Sequence, residues 1–257
     1  MKILKFKKVS KNKYKLFLDN DESITLYEEI IIKNNLLISK TLDKDVLDDL
    51  INQNNEFYAY DLAINYISIR VRSIKELRDY LLKKGISINE VEKTIKRLIK
   101  ENYLNDRKFT ELFVNDQFKL TNKGPLKIKK ELLAHGIDLD VINEQIERID
   151  KLSVEKKISK LLERYIKTKR ESSGNLKLKV VTYFCNLGYE KDMILDKLSN
   201  YEIKSDEIKL KRDYERLYNK YKDKYQGNNL FYFISQKLYS KGYTSSDIAN
   251  VIRINNN

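Results

Sequence analysis

The fold is decided by residues 77–95, which read LRDYLLKKGISINEVEKTI. Measured from Gly85, apolar residues stand eight and four positions before it and one, six and ten positions after it. The same pattern recurs around three further glycines, at intervals of 51, 52 and 54 residues: Gly136, Gly188 and Gly242. Spacings of four belong to one helix face, and they lie on both sides of each glycine. The sequence therefore predicts a tandem helical repeat.

Each repeat is predicted to hold its glycine between two helices. Just past a helix end the backbone often turns left-handed, a conformation that costs glycine little. The following helix is expected to begin two residues after the glycine, at Ser87, Asp138, Glu190 and Thr244. Serine, threonine and aspartate are good N-caps, so three of these four positions carry a start signal.

The helix before each glycine also has start signals. Ser73 with Glu76 has the spacing of a capping box, as Ser87 with Glu90 has at the start of the helix after Gly85. Gly124 is followed by Pro125 at a first helical position, where the missing N–H does no harm. We therefore assign a structural role to six residues: Gly85, Gly124, Pro125, Gly136, Gly188 and Gly242.

A further amphipathic stretch precedes each helix pair, so each repeat is predicted to contain three helices. These stretches cover residues 59–69, 109–120, 154–169 and 208–224. The predicted three-helix domains span residues 57–106, 107–151, 152–204 and 205–257. Because such a small unit buries little surface alone, the four are expected to stack as an elongated curved solenoid, giving a mostly α fold.

The first 56 residues are predicted to form a separate small domain of strands and helices. Alternating apolar and polar residues at 3–9, 14–18 and 23–27 favour an antiparallel three-stranded meander. A short helix at about 28–33 and a second at 43–52 are expected to follow. The segment carries ten basic and ten acidic residues, so it is neutral. It is either an interaction module or a cap on the helical body.

Composition excludes several classes of protein. The 257 residues include one cysteine, Cys185, and one histidine, His135, so neither a disulfide nor a zinc site of Cys and His is expected. Both residues are interpreted as structural, Cys185 as a small buried side chain and His135 as a helix-end residue. A reducing, cytoplasmic location is expected, and no apolar stretch has the length of a membrane span or signal peptide. No phosphate loop, paired-histidine motif or nucleophile elbow is present, so no cofactor and no catalytic activity are predicted.

The charge of the chain predicts an anionic partner. There are 51 basic and 38 acidic residues, and the whole excess of +13 follows residue 56. Basic residues gather on the predicted first helices and on the joints after them, in three clusters at 70–78, 119–130 and 156–170. They either form a stripe for phosphates or an acidic protein, or are ordinary solvated helix faces. The tyrosines of the last repeat are interpreted mainly as core residues, with base stacking as the alternative.

Three segments resemble the RecX family of recombination regulators. They are residues 63–95, with SIRVRSIKEL at 68–77 and LLKKG at 81–85; residues 102–109, NYLNDRKF; and Lys123-Gly124-Pro125 leading to Gly136. The resemblance is specific over about residues 58–150 and weaker to 254. Val71 departs from the proline that the family usually has between two arginines, and the fourth repeat exceeds the family's three.

The resemblance implies a non-catalytic regulator of RecA, the recombinase that polymerises on single-stranded DNA. Such a protein would lie in the groove of the RecA–DNA filament and block its extension or promote its disassembly. It would thereby restrain recombination, DNA repair and the SOS response. A monomer with DNA contacts that are weak or made through the filament is expected. The expected contact residues combine charge with the recognised motifs: Arg70, Arg72, Lys75, Arg78, Lys123, Lys127 and Lys130.

Two other classes of function stay open at this level. One is a stand-alone DNA-binding protein that affects recombination by competing for DNA, which would show steep salt dependence. The other is a helical scaffold for an unrelated protein, with negligible binding to DNA or RecA.

Overall fold

A computed structural model describes residues 1–39 and 41–255. Within these residues the chain forms three strands, β1 (Ile3–Ser10), β2 (Lys13–Leu18) and β3 (Ser23–Tyr27). It also forms thirteen helices: α1 (Glu28–Lys33), α2 (Lys44–Ile67), α3 (Ile74–Lys83), α4 (Ile88–Lys100), α5 (Asp106–Leu120), α6 (Pro125–Ala134), α7 (Leu139–Glu147), α8 (Lys151–Thr168), α9 (Ser173–Asn186), α10 (Lys191–Ser199), α11 (Glu207–Tyr221), α12 (Asn228–Ser240) and α13 (Ser245–Asn255). The predicted mostly α fold with a small N-terminal antiparallel sheet is confirmed.

The chain divides into two compact units. The first contains residues 1–109 with 135–137, and the second contains residues 110–134 with the described part of 138–257. The first unit holds the sheet and helices α1–α4. The second unit holds most of α5–α7 and all of the helices from α8 onward.

The N-terminal sheet has the order β1-β2-β3, and both pairs of neighbours are antiparallel. Its inner face carries Leu16, Leu18 and Leu26, which pack with Leu50 of α2 in one hydrophobic core. The predicted meander and the short helix α1 are confirmed. Alternation of burial along β2 sets the register, because a shift by one residue would expose the apolar set.

Helix α2 corrects the prediction of two separate helices at 43–52 and 59–69. It is one continuous helix of 24 residues. Residues 53–58 contain neither glycine nor proline, so nothing there ends the helix. Leu47 and Leu50 pack into the core under the sheet, whereas Ala59 and Ala63 pack into the core of α2–α4. The predicted boundary after residue 56 lies inside this helix, and the domain boundaries stay a prediction.

The three-helix groups are α2–α4, α5–α7, α8–α10 and α11–α13. The apolar positions that recur around the glycines form their cores, because the residues eight and four positions before each glycine are all fully buried, with 0% exposure. These are Leu77, Leu81, Ile128, Leu132, Val180, Phe184, Ile234 and Leu238. The tandem repeat that the glycine spacing predicted is thus confirmed in its packing.

Helix starts follow the predicted caps. The Ser73 hydroxyl accepts from the Glu76 N–H at 3.1 Å, and the Ser87 hydroxyl accepts from the Glu90 N–H at 3.3 Å. In both cases the glutamate also accepts from the serine N–H, so both capping boxes form. Pro125 is the first residue of α6, as predicted.

Two side-chain expectations are wrong. Cys185 is exposed, because the buried face of α9 carries Leu176, Val180 and Phe184, and the next residue is turned about 100° away from it. Of the last group's tyrosines, Tyr214 is buried as expected. Core packing is the wrong interpretation for Tyr218, Tyr225, Tyr232 and Tyr239, which are 37%, 37%, 68% and 51% exposed.

Candidate contact surface and its supporting joints

Successive three-helix groups meet at joints. A joint is defined here as the contact between the start of one group's middle helix and the glycine turn of the next group. The first joint links the start of α3 to residues 135–136, the second links the start of α6 to residues 187–188, and the third links the start of α9 to residues 241–242. Each joint lies within one compact unit.

The second joint is made mainly by backbone groups. The Gly124 N–H donates to the Leu187 carbonyl at 2.7 Å, and the Leu126 N–H donates to the Gly188 carbonyl at 3.0 Å. A Cβ on Gly124 would lie 2.5 Å from the Gly188 carbonyl oxygen, and one on Gly188 would lie 2.2 Å from the Lys127 nitrogen. Both positions therefore require glycine, and the free N–H groups of the α6 start are satisfied by the next turn.

The third joint repeats this geometry with added side chains. The Gly174 N–H donates to the Gly242 carbonyl at 2.9 Å, and the Ser172 hydroxyl donates to the Lys241 carbonyl. Glu171 accepts from the ammonium groups of Lys179 and Lys209. These two hydrogen bonds hold the pKa of the Glu171 carboxyl below its ordinary value.

The first joint is built from side chains. The Ser73 hydroxyl donates to the His135 carbonyl at 3.1 Å, and the Ile74 N–H donates to Asp106 Oδ1 at 2.8 Å. The stem of Lys75 lies over Gly136, with its Cδ 2.9 Å from the position a Cβ would take. Burial raises the pKa of the Asp106 carboxyl, against the hydrogen bond from Ile74. Lys75 was predicted as a contact residue, and the structure places its stem within the joint.

Arg70 is held in an ion pair. Its guanidinium binds both carboxylate oxygens of Glu76, at 2.7 and 3.2 Å. Burial raises the pKa of Glu76, but the hydrogen bonds from Arg70 and from the Ser73 backbone leave it below its ordinary value. An anionic partner would thus compete with Glu76 for this guanidinium.

Arg78 and Arg72 differ in their surroundings. Arg78 binds both oxygens of Glu92, at 2.7 and 3.3 Å, which raises the pKa of the guanidinium. Arg72 lies over the ring of Tyr66, 4.1 Å from its centroid, and Tyr66 stacks on Tyr80 at 3.9 Å. The Arg72 Nε is buried and has no hydrogen-bond partner among residues 1–39 and 41–255. Its cation is therefore supported by an aromatic pair and not neutralised by a carboxylate.

The predicted contact residues of the second unit are Lys123, Lys127 and Lys130. Lys123 donates to Glu131 at 2.6 Å and to Gln117 at 2.7 Å, so it is paired. Within the described residues, Lys127 makes one side-chain hydrogen bond, to the Asn186 carbonyl at 3.4 Å. Lys130 is exposed on α6, and the described residues include no carboxylate paired with it. Two of these three cations therefore keep their charge available.

Two basic stripes lie outside the predicted contact residues, although the first falls within the basic cluster noted at 156–170. The α8 stripe consists of Lys156, Lys160 and Arg164, and the α11 stripe consists of Arg212, Arg216 and Lys220. All six are exposed, and in the described chain none of them forms an ion pair. Each stripe repeats every four residues along one helix, so its side chains share a face. The four-residue spacing can be read in the sequence. The sequence does not show which cations the neighbouring glutamates pair with.

Lys157 shows how one residue of the same basic run turns inward. Its ammonium donates to the Phe118 and Lys123 carbonyls and lies 4.2 Å from the Phe118 ring centroid. Burial lowers its pKa. Because Lys157 donates to carbonyls at and after the C-terminal end of α5, its role is structural, and it is not part of the α8 stripe.

The chemistry available on these surfaces is the binding of anions. In the part of the chain that the structure describes, no group of three His, Cys, Asp or Glu side chains is arranged to hold a metal ion. The same residues include no helix with the length and apolarity needed to cross a membrane.

Comparisons with known proteins agree with one family along the chain. The model of the first three-helix domain of RecX matches residues 59–98, and the model of the second three-helix domain matches residues 105–144. The regulatory protein RecX of Streptococcus uberis is 31% identical over 97% of this chain and 98% of its own length. That of Streptococcus thermophilus is 31% identical over 98% and 99%.

Solved structures share the fold. A crystal structure of regulatory protein RecX superposes with a TM-score of 0.63 at 20% identity and covers 76% of this chain and 98% of its own. RecX from Lactobacillus salivarius superposes with a TM-score of 0.53 at 24% identity, over 57% and 96%. With identity above 30% to relatives matched over nearly their full length, the chain belongs to the RecX family of regulatory proteins.

Proposed function

We propose that this chain regulates the RecA recombinase by binding in the groove of the RecA–DNA filament and inhibiting filament extension or promoting disassembly. It acts as a non-catalytic, cytoplasmic monomer and restrains homologous recombination, DNA repair and the SOS response. Its family membership supports the choice of partner, since its relatives are named regulatory proteins. The observation that carries the proposal is the set of unpaired cations on the tandem three-helix groups, foremost the α8 stripe.

The regulation requires no chemistry by the regulator. A ligand that binds one state of a polymer more tightly than another shifts the polymerisation equilibrium by its difference in affinity. Joints with backbone hydrogen bonds hold neighbouring groups in register within a unit, so several cations can meet one anionic surface together. Nucleotide turnover in such a complex belongs to the recombinase.

The contact residues divide into two sets by their pairing. Arg72, Lys127 and Lys130, together with the α8 stripe, offer charge without displacing a carboxylate. The paired set must break an ion pair before it can bind the partner. The pairs are Arg70 with Glu76, Arg78 with Glu92 and Lys123 with Glu131. We therefore expect the unpaired set to contribute more to filament binding than the paired set.

The test is RecA ATPase activity on preformed filaments, with single-stranded DNA in excess and the regulator substoichiometric. Inhibition well below one regulator per RecA protomer supports action on the filament, because competition for abundant DNA cannot produce it. Inhibition only when the regulator suffices to coat the DNA contradicts the proposal.

A charge-matched pair of variants tests the surface. Lys156→Gln/Lys160→Gln/Arg164→Gln removes the α8 stripe, and we expect at least a tenfold loss of inhibition. Lys177→Gln/Lys191→Gln/Lys222→Gln removes the same charge from exposed, unpaired positions of the same unit and serves as the control. Equal loss in both variants would mean that net charge alone acts.

The same stripes favour one second function, stand-alone DNA binding. Regularly spaced cations suit a phosphate backbone, and such binding weakens steeply with salt. Direct binding to RecA in the absence of DNA, measured by pull-down, separates the two: no RecA contact together with steep salt dependence of DNA binding would favour the second function. Negligible binding to both would favour a scaffold for another protein.

A further inference from the structure

The N-terminal hairpin, defined as residues 1–18 with strands β1 and β2, concentrates positive charge. It carries seven lysines and no acidic residue, whereas all ten acidic residues of the first 56 positions follow Leu18. The neutral total of the segment therefore conceals a separation of charge. A compositional bias toward lysine would not by itself exclude every carboxylate from one hairpin.

Three of the seven hairpin lysines lie on the face of the sheet that points away from the core. In the register, Lys7 is opposite Lys15, and Lys5 is opposite Phe17. On the next strand Phe17 meets Ser23 and Lys15 meets Thr25. We call these six residues the solvent face: Lys5, Lys7, Lys15, Phe17, Ser23 and Thr25. None of them is buried, and none belongs to the hydrophobic core.

The lysines of the hairpin are uncompensated. Within residues 1–39 and 41–255, no carboxylate forms an ion pair with any of the seven. Like charges directly across two strands destabilise a sheet, and Lys7 lies directly across from Lys15. The Lys15 ammonium lies 5.5 Å from the centroid of the Phe17 ring, so this cation and the aromatic ring share the same face of the sheet.

Protection of a sheet edge explains only part of this pattern. Lysines on an edge strand prevent pairing with other chains, and β1 is an edge strand. Lys15 lies on β2, which is the central strand, and lysine is disfavoured in strands. A lysine at the centre of an open sheet face, beside a phenylalanine that packs into no core, calls for a ligand.

We propose that the solvent face of the N-terminal sheet binds single-stranded DNA, with Lys5, Lys7 and Lys15 on phosphates and Phe17 stacked on a base. Proteins that hold single strands combine a positive surface with aromatic rings on which bases stack. The half-buried ring of Phe17, which belongs to no hydrophobic core, favours a nucleic acid over an acidic protein, because an acidic protein would use the charges alone. This site is independent of the helical surfaces above and of any action on RecA.

The test uses the full chain and a fluorescein-labelled oligothymidylate, with affinity followed by anisotropy over a range of salt concentrations. Lys5→Gln/Lys7→Gln/Lys15→Gln is expected to weaken binding at least tenfold and to reduce the salt slope by about 2, at about 0.7 for each lost phosphate contact. The control, Lys33→Gln/Lys96→Gln/Lys100→Gln, removes equal charge from exposed, unpaired positions of the same unit and is expected to change affinity less than twofold.

A second variant separates stacking from charge. Phe17→Leu keeps every charge, and we expect at least a fivefold loss of affinity with an unchanged salt slope. The lysine variant should melt at the same or a higher temperature than the natural chain, because it removes the repulsion between Lys7 and Lys15.

Three outcomes overturn the proposal. One is equal weakening by the lysine variant and its control, and another is unchanged DNA binding in Phe17→Leu. The third is a lysine variant that no longer binds phosphatidylglycerol vesicles but still binds DNA as the natural chain does, which would assign the face to a membrane. Because RecA is absent from these measurements, failure here leaves the proposed regulation of the filament unaffected.

Discussion

Gly85 and Gly188 hold the same place in their repeats and the same backbone conformation, yet their surroundings are opposite. Their φ angles are +82° and +88°. A Cβ on Gly85 would meet nothing within 4 Å, whereas a Cβ on Gly188 would lie 2.2 Å from the Lys127 nitrogen. Gly85 ends a helix. Gly188 also ends a helix, and its turn accepts hydrogen bonds from the start of α6.

The difference shows that one sequence signal carries two physical constraints. The left-handed turn is local and is set by the helix that it terminates. The close approach is not local, because it exists only where the middle helix of a preceding group comes to rest on the turn. Among the described helices, none begins against the turn of Gly85, so only the first constraint acts there.

The largest expected effect is that of Gly188→Ala. A side chain there is strained at positive φ and also overlaps the α6 backbone, so we expect the free energy of unfolding to fall by about 2–5 kcal/mol. Urea unfolding followed by circular dichroism measures it. A decrease in the free energy of unfolding no larger than that of Gly85→Ala would show that the second joint accommodates the added methyl group without loss of stability.

Gly124→Ala tests the other side of the same joint. Its φ is not left-handed, so only the overlap with the Gly188 carbonyl acts, and the expected loss is about 1–3 kcal/mol. Combined with Gly188→Ala, it should cost less than the sum of the two, because both disrupt one contact. Additive losses in the same urea measurement would contradict a shared joint.

Gly85→Ala isolates the local constraint. With open space around the Cβ, only the left-handed conformation is penalised, and we expect a loss of about 1–2 kcal/mol. Gly85→Asn should cost less than Gly85→Ala, since asparagine tolerates this conformation better. Thermal melting of both variants checks the order, and the reverse order would refute the assignment.

The smallest expected effect concerns pH at the third joint. The pKa of Glu171 is lowered in the folded chain, so its stabilisation is present above the ordinary glutamate value of about 4.3 and is lost as pH falls through the lowered native value. Glu171→Gln should therefore destabilise by up to about 1 kcal/mol at neutral pH and by progressively less in acid. Melting temperatures of both proteins across this range should converge at low pH, and a constant gap would contradict the role of the charge.

Much of the fold could be predicted because its signals are local. The capping serines, Pro125 and the left-handed glycines act within one helical turn, and each lies where the sequence placed it. Helix α2 was predicted as two helices because its two apolar stretches were assigned to different domains. Its continuity depends on two separate cores that pack against the same helix.

The candidate surface was less predictable than the fold. Charge can be counted in a sequence, but pairing depends on which carboxylate comes within reach. Arg70 and Lys123 form ion pairs with Glu76 and Glu131, whereas Lys130 and the α8 stripe have no ion pair with any residue that the structure describes. The separation of charge in the N-terminal segment was hidden by its neutral total, although the absence of acidic residues before Asp19 could be read directly.

By itself, the sequence determined the tandem repeat and its helix ends, because helical periodicity and capping act over a few residues. It also determined the family to which the chain belongs, through identity along nearly the whole chain. Only the tertiary structure decided which glycines contact a neighbouring helix, which cations are paired with a carboxylate and which face of the sheet is open to solvent. These properties depend on atoms that are distant in sequence and near in space, such as Gly124 and Gly188. Packing brings them together, and no short stretch of sequence contains both.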